Sequence, residues 1–112
     1  MGPDTRAAEL FTFLEEAKRL IRCGHYDFVP RAKNRDSLAR CGLTYKDAKE
    51  ELLDLTADDY HKGPKQDFDR PGTVWEFKKR VGDRMFYIKL KSVQVDGQDI
   101  LRCLSFHEDD FA

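Results

Sequence analysis

The chain is expected to fold as one α+β domain in which N-terminal helices pack on a small, mostly antiparallel sheet ending in a three-strand meander. Three observations point there. Apolar side chains recur at helical spacing in the first half and at alternating spacing after residue 72. Between the two lies GPKQDFDRPG, Gly63 to Gly72, with two prolines, two glycines and neither period. A length of 112 residues gives room for one core and no second independent domain, so the domain is read as spanning 1–112.

The first helix follows from Ala7, Leu10, Phe13, Leu14, Ala17, Leu20 and Ile21, with Glu15, Glu16, Lys18 and Arg19 opposite and Gly24 as its stop. Tyr26 to Val29 is a short β-prone run closed by Pro30. Asn34 is placed to cap a short helix that ends at Gly42. Thr44 with Asp47 three residues on forms a capping-box pattern for a helix turning Ala48, Leu52 and Leu53 inward, and Thr56 with Asp59 repeats it for one more turn. Gly63 to Gly72 is read as a loop, long for a compact domain and thus of functional interest. Strands are expected over Thr73 to Arg80, Met85 to Val93 and Ile100 to His107, with turns at Gly82-Asp83 and Asp96-Gly97.

An apolar fraction of 40% with eight Phe, four Tyr and one Trp suffices for a packed interior. No apolar run approaches the roughly 20 residues of a membrane span, and the N-terminus lacks a signal-peptide core, so a soluble cytoplasmic protein with no membrane partner is expected. Cys23, Cys41 and Cys103 lack C-x-x-C spacing and are read as small core hydrophobes. The net charge of −1 provides no long-range attraction for nucleic acid, yet cations bunch locally, at Arg31, Lys33 and Arg35, at Lys78, Lys79 and Arg80, and at Lys89 and Lys91.

Strand register then sorts the side chains. A two-residue turn at Gly82-Asp83 sets Trp75 opposite Leu90, Glu76 opposite Lys89, Phe77 opposite Ile88 and Lys78 opposite Tyr87. For the second hairpin, a two-residue turn would place Tyr87 opposite Phe106 and mix the faces. A three-residue loop of Val95, Asp96 and Gly97 is therefore expected, pairing Ile88 with Leu104, Phe86 with Phe106 and Tyr87 with Ser105. This register gathers Glu76, Tyr87, Lys89 and His107 on one polar face.

LTADDYHKG at residues 55 to 63, VWEF opening the meander, and YIKL followed by LSFHE resemble the MqsR family of bacterial toxins, whose fold is similar to that of RelE-type toxins. The likeness spans roughly Ser37 to Glu108. It implies a RelE-like fold and a toxin of a type II toxin-antitoxin system, acting as a metal-independent mRNA interferase. The catalytic residues it implies are Lys62, Glu76, Tyr87 and His107. The family pattern has Gln at the position of Glu76 and Lys at that of His107, which bears on the division of roles. The implied partners are single-stranded mRNA, on or off the ribosome, and a cognate antitoxin.

Cleaving RNA without a metal needs a base for the 2′-hydroxyl, an acid for the leaving 5′-oxygen and cations for the phosphate. His107 is the natural proton shuttle, Glu76 a partner base, Lys62 and Lys89 the countercharges, and Tyr87 a stacking or phosphate-binding group. Arg31, Lys33, His61 and Lys89 are the candidate substrate-binding residues. Asp67 and Asp69 lack a full ligand set, so no metal and no cofactor is assigned. A solvated strand face also carries Glu, Lys and Tyr as ordinary cross-strand pairs, and a non-catalytic module binding RNA or protein is the alternative.

Overall fold

The computed structural model describes residues 3–68 and 70–110; Asp69 lies outside the described residues. Helix α1 (Pro3–Arg22) leads into β1 (Tyr26–Phe28), α2 (Ala32–Cys41), α3 (Tyr45–Leu53), one 3-10 turn (Ala57–Asp59) and then β2 (Tyr60–Gln66), β3 (Thr73–Val81), β4 (Arg84–Val95) and β5 (Gln98–Glu108). The sheet order is β1-β5-β4-β3-β2, antiparallel except where β1 runs parallel to β5. Among the described residues no helix is long and apolar enough to cross a membrane.

Local chemistry explains the helix starts. Thr44 accepts from the Asp47 amide at 3.0 Å while the Asp47 carboxylate accepts from the Thr44 amide at 2.9 Å, and Thr56 with Asp59 closes the same reciprocal box at the 3-10 turn. Helix α2 departs from expectation. It begins at Ala32 with Arg31 as an N-cap that makes no side-chain capping bond, and Asn34, inside the helix, serves another purpose described below. Gly42, at φ 68°, closes it as expected.

The helices cover one face of the sheet. Leu14, Leu20 and Ile21 from α1, Leu38 from α2 and Leu52 from α3 meet Phe77, Phe86, Ile88, Leu90 and Phe106 from the strands, all buried. Each large side chain removed from water contributes about 1.5–3 kcal/mol, so this face sets the orientation of every strand. Trp75 belongs to it too, stacked on Phe13 at a centroid separation of 5.0 Å. Of the cysteines, Cys103 is buried and Cys41 half-buried, but Cys23 is exposed and is no core residue.

Two expectations for the chain after residue 60 are corrected. Tyr60–Gln66 is an edge strand that takes in Gly63 to Gln66, expected as loop, and its register slips twice along β3, on either side of Lys62. Proline is tolerated there because an edge strand needs no ladder bond on its outer side. The loop is confined to the residues between β2 and β3. In the second hairpin Val95 pairs with Gln98, so the turn is the two residues Asp96 and Gly97, at φ 52° and 79°, and not three. Face matching is restored inside the ladder: Leu90 pairs with Cys103 and Lys89 with Ser105, leaving Leu104 as an extra residue, a β-bulge. Ile88 consequently faces Phe106 rather than Leu104, Phe86 faces Glu108, and Tyr87 faces His107 rather than Ser105.

The bulge is held from α2. β1 reaches along β5 only as far as Cys103, and beyond it the fully buried Asn34 takes the place of a strand. Its amide donates to the carbonyls of Leu104 (3.1 Å) and Val29 (2.9 Å), and its oxygen accepts from the Phe106 amide (3.0 Å). Ser37, one helical turn on, accepts from the Glu108 amide at 3.1 Å. Buried backbone groups that a missing strand would leave unpaired are thereby satisfied.

Candidate functional site

The uncovered face of the sheet carries two adjoining clefts. The first, about 310 Å3, is lined by Lys33, His61, Lys62, Glu76, Tyr87 and His107 together with Lys78, Asp109 and Asp110. It has room for a phosphodiester and its sugar rather than for a length of chain. Six of the eight residues singled out from the sequence meet here. Arg31 and Lys89 line the neighbouring cleft instead, one row along the same strands, where Lys89 pairs with both Glu76 and Ser105.

His107 sits at the end of β5, 6% exposed, with its ring 5.4 Å from that of Tyr87 across the ladder. It lies on the open face, away from the phenylalanines. Its Nδ1 is 2.9 Å from the carbonyl of Glu108. A carbonyl can only accept, so Nδ1 carries the proton and Nε2 keeps its lone pair. Burial lowers the imidazole pKa and outweighs the contribution of the Glu108 carbonyl, which raises it; the charges of Lys33 and Arg31 lower it further. The ring is therefore neutral at neutral pH, with Nε2 unprotonated.

Glu76 is 4% exposed on β3 and forms an ion pair with Lys65 of β2. Burial raises its pKa, but hydrogen bonds from Lys65 and Tyr87 and the charges of Lys65 and Lys89 more than offset that, so the carboxylate stays ionised. Burial and the Glu76 carboxylate together push the Tyr87 hydroxyl pKa up, so it remains a protonated donor. An ion-paired carboxylate committed to two donors is a poor proton acceptor. Of the two groups, the His107 imidazole is therefore the better placed to accept a proton, and Glu76 is held by Lys65.

Lysines of the first cleft divide into two groups. Lys33 pairs with Asp110 at 3.1 Å and Lys78 with Asp109 at 2.9 Å. Lys62, exposed and in register with Glu76, closes no ion pair among the described residues. His61 is exposed beside it on the same edge strand. Among the described residues no group of three or more His, Cys, Asp or Glu side chains is arranged to hold a metal ion.

Sequence reasoning missed Lys65 and the role of Asn34, and left Lys78 out of the candidate site residues. Lys78 was legible, since the register that placed Tyr87 on the open face put Lys78 directly opposite it. Lys65 was hidden inside a stretch read as loop. The part played by Asn34 had no local signal, because two of its three partners lie some seventy residues away.

No protein-family model matches the chain, and neither a curated protein nor a solved structure matches it significantly.

Proposed function

We propose that this chain is an endoribonuclease of the MqsR type, with a RelE-like fold, acting in the cytoplasm as the toxin of a toxin-antitoxin pair. The observation that carries the reading is a histidine whose Nδ1 is held by the Glu108 carbonyl and whose ring lies beside that of Tyr87, in a cleft also lined by Lys62. In the reaction, Nε2 of His107 takes the proton of a ribose 2′-hydroxyl. The 2′-oxygen attacks phosphorus, the bond from phosphorus to the 5′-oxygen breaks, and that oxygen takes a proton from the Lys62 ammonium. The products are a 2′,3′-cyclic phosphate and a 5′-hydroxyl. Tyr87, whose single hydroxyl proton is directed at Glu76, stacks on a base, and the charge of Lys33, with that of Lys89 and Arg31 in the adjoining cleft, favours a phosphorane more anionic than the substrate. Each component acts without a metal ion.

The substrate fitting this surface is single-stranded mRNA, on or off the ribosome, because a ribose must expose its 2′-hydroxyl to a ring recessed in the face. The resemblance adds a cognate antitoxin as the protein partner. Purified chain incubated with an RNA oligonucleotide, followed by end-group analysis, tests the chemistry. A cyclic phosphate that appears with the native protein and not with His107→Ala supports it; uncleaved RNA at high protein concentration sinks it. Growth arrest on expression, relieved by the adjacent gene product, tests the toxin role.

A non-catalytic module binding RNA or protein is the second reading. It is favoured by the closure of Lys33, Lys65 and Lys78 in ion pairs, as on an ordinary solvated strand face. That reading expects RNA binding unchanged by His107→Ala and no cleaved product.

A further inference from the structure

The two clefts of the open face differ in charge. Around the first, three lysines face three carboxylates, so it has little surplus with which to attract a polyanion. The second is lined by five cations, Arg31, Arg70, Lys89, Lys91 and Arg102, against two carboxylates. Both carboxylates are already engaged: Asp27 by Arg102 at 2.8 Å and Asp67 by Lys91 at 2.6 Å. Arg31, Arg70 and Lys89 close no ion pair among the described residues. In a chain of net charge −1, three cations without an ion pair among the described residues thus adjoin the candidate reaction cleft.

This cleft is also built rather than merely charged. Ser105, 2% exposed at its floor, accepts from the Arg31 guanidinium at 2.6 Å, which fixes Arg31 over the sheet and leaves the serine proton to be donated. Lys91, 3% exposed, reaches Asp67 and straps the start of the loop between β2 and β3 onto the open face. The Asp67 amide closes the base of the same loop on the Gly72 carbonyl at 3.1 Å. Next to the strap, Phe68 is fully exposed, while other phenylalanines of the chain such as Phe77, Phe86 and Phe106 are fully buried. An exposed aromatic residue in the chain between two residues that line a cationic cleft, Asp67 and Arg70, matches what single-stranded nucleic acid uses, phosphates in the groove and a base on the ring.

We propose that this second cleft binds the phosphodiester next to the scissile one, with the adjoining base stacked on Phe68. The rows Tyr87 with His107 and Lys89 with Ser105 are two residues apart along the strands, about 7 Å, a step comparable to that between successive phosphates of an extended strand. Affinity is then supplied by one cleft and chemistry by the other. Identifying the polyanion as RNA rests on the proposed ribonuclease reading, but occupancy of the cleft does not require cleavage.

The test uses 2′-O-methyl oligoribonucleotides, which lack an attacking hydroxyl, and fluorescence anisotropy with the full chain. An octanucleotide is expected to bind at least about tenfold more tightly than a dinucleotide, within the range one stacked base provides. Phe68→Ala is expected to remove most of that advantage. Arg70→Gln is expected to flatten the slope of log affinity against log salt by about 0.7, the value for one phosphate contact on a single strand. Both positions are exposed, and an unchanged melting temperature verifies the fold. Equal affinity for the two lengths, variants that bind as the native chain does, or equal affinity for a duplex of the same length each overturn the proposal. Tight, length-dependent binding without any cleavage of unmodified RNA upholds the cleft and sinks the ribonuclease reading alone.

Discussion

The two hairpins of the meander share β4 and keep their faces matched by different means. Between β3 and β4 a two-residue turn begins at Gly82, and eight successive pairs follow without interruption. Between β4 and β5 an equally short turn starts the ladder in a register that would send Phe106 to water, and the error is corrected midway by the bulge at Leu104. The regular hairpin needs nothing outside itself. The corrected one depends on a helix from the other end of the chain, because Asn34 and Ser37 supply the bonds that its outer edge lacks. The difference places the candidate chemistry at the mercy of long-range packing: the bulge, and not the turn, sets His107 opposite Tyr87.

That contrast can be broken at several points. The largest expected effect is on the reaction itself: His107→Ala should slow RNA cleavage by about 100- to 10,000-fold, the usual range for a general base, measured by end-group analysis on folded protein. Next, Asn34→Ala strands three backbone groups, one buried and two part-buried, at about 1–3 kcal/mol for each. A loss of about 3 kcal/mol or more in urea denaturation is expected, with cleavage impaired as well; unaltered stability would show that the bulge holds itself. Lys62→Ala should reduce cleavage by about 10- to 100-fold through loss of the leaving-group acid while stability stays within about 0.5 kcal/mol, as expected for an exposed side chain.

Smaller effects sharpen the comparison. Gly97→Ala forces an alanine to φ 79° and should cost about 1–2 kcal/mol of stability. Because the bulge lies between that turn and His107, the cleavage rate per folded molecule should not change. The smallest effect is a pH dependence. The folded pKa of His107 is lowered below 6.5, so in acid the unfolded chain takes up this proton first, and stability falls as pH drops from the ordinary histidine value toward the lowered one. The acid limb of the cleavage profile should likewise have its midpoint below that of an unperturbed histidine. Titrating thermal stability of the native protein against His107→Gln isolates both the sign and the group.

What could be read in advance was whatever a local rule governs. The capping pairs Thr44 with Asp47 and Thr56 with Asp59 involve neighbours three residues apart, and both are present. The β3–β4 register followed from a two-residue turn at Gly82-Asp83, and alternation agreed with it. For the β4–β5 hairpin the physical requirement was correctly identified, since large apolar side chains had to share a face, but the device was misplaced. Parity can be mended by one residue in the turn or by one residue in the ladder, and alternation is blind to the choice. It was decided by Asn34, whose amide had been expected to cap its own helix. β2 escaped notice because Gly63 and Pro64 look like loop chemistry; on a sheet margin they are compatible with a strand.

The uneven course of β2 also bears on how two molecules would meet. A sheet margin normally presents a row of unpaired amides and carbonyls on which another chain can add. Here Pro64 has no amide to offer, the register slips on either side of Lys62, and Lys62 and Lys65 bring positive charge to the rim. A strand from a second copy would find an interrupted template carrying like charge. The margin nearest the candidate site is thus poorly suited to self-association, which keeps the open face accessible at high protein concentration.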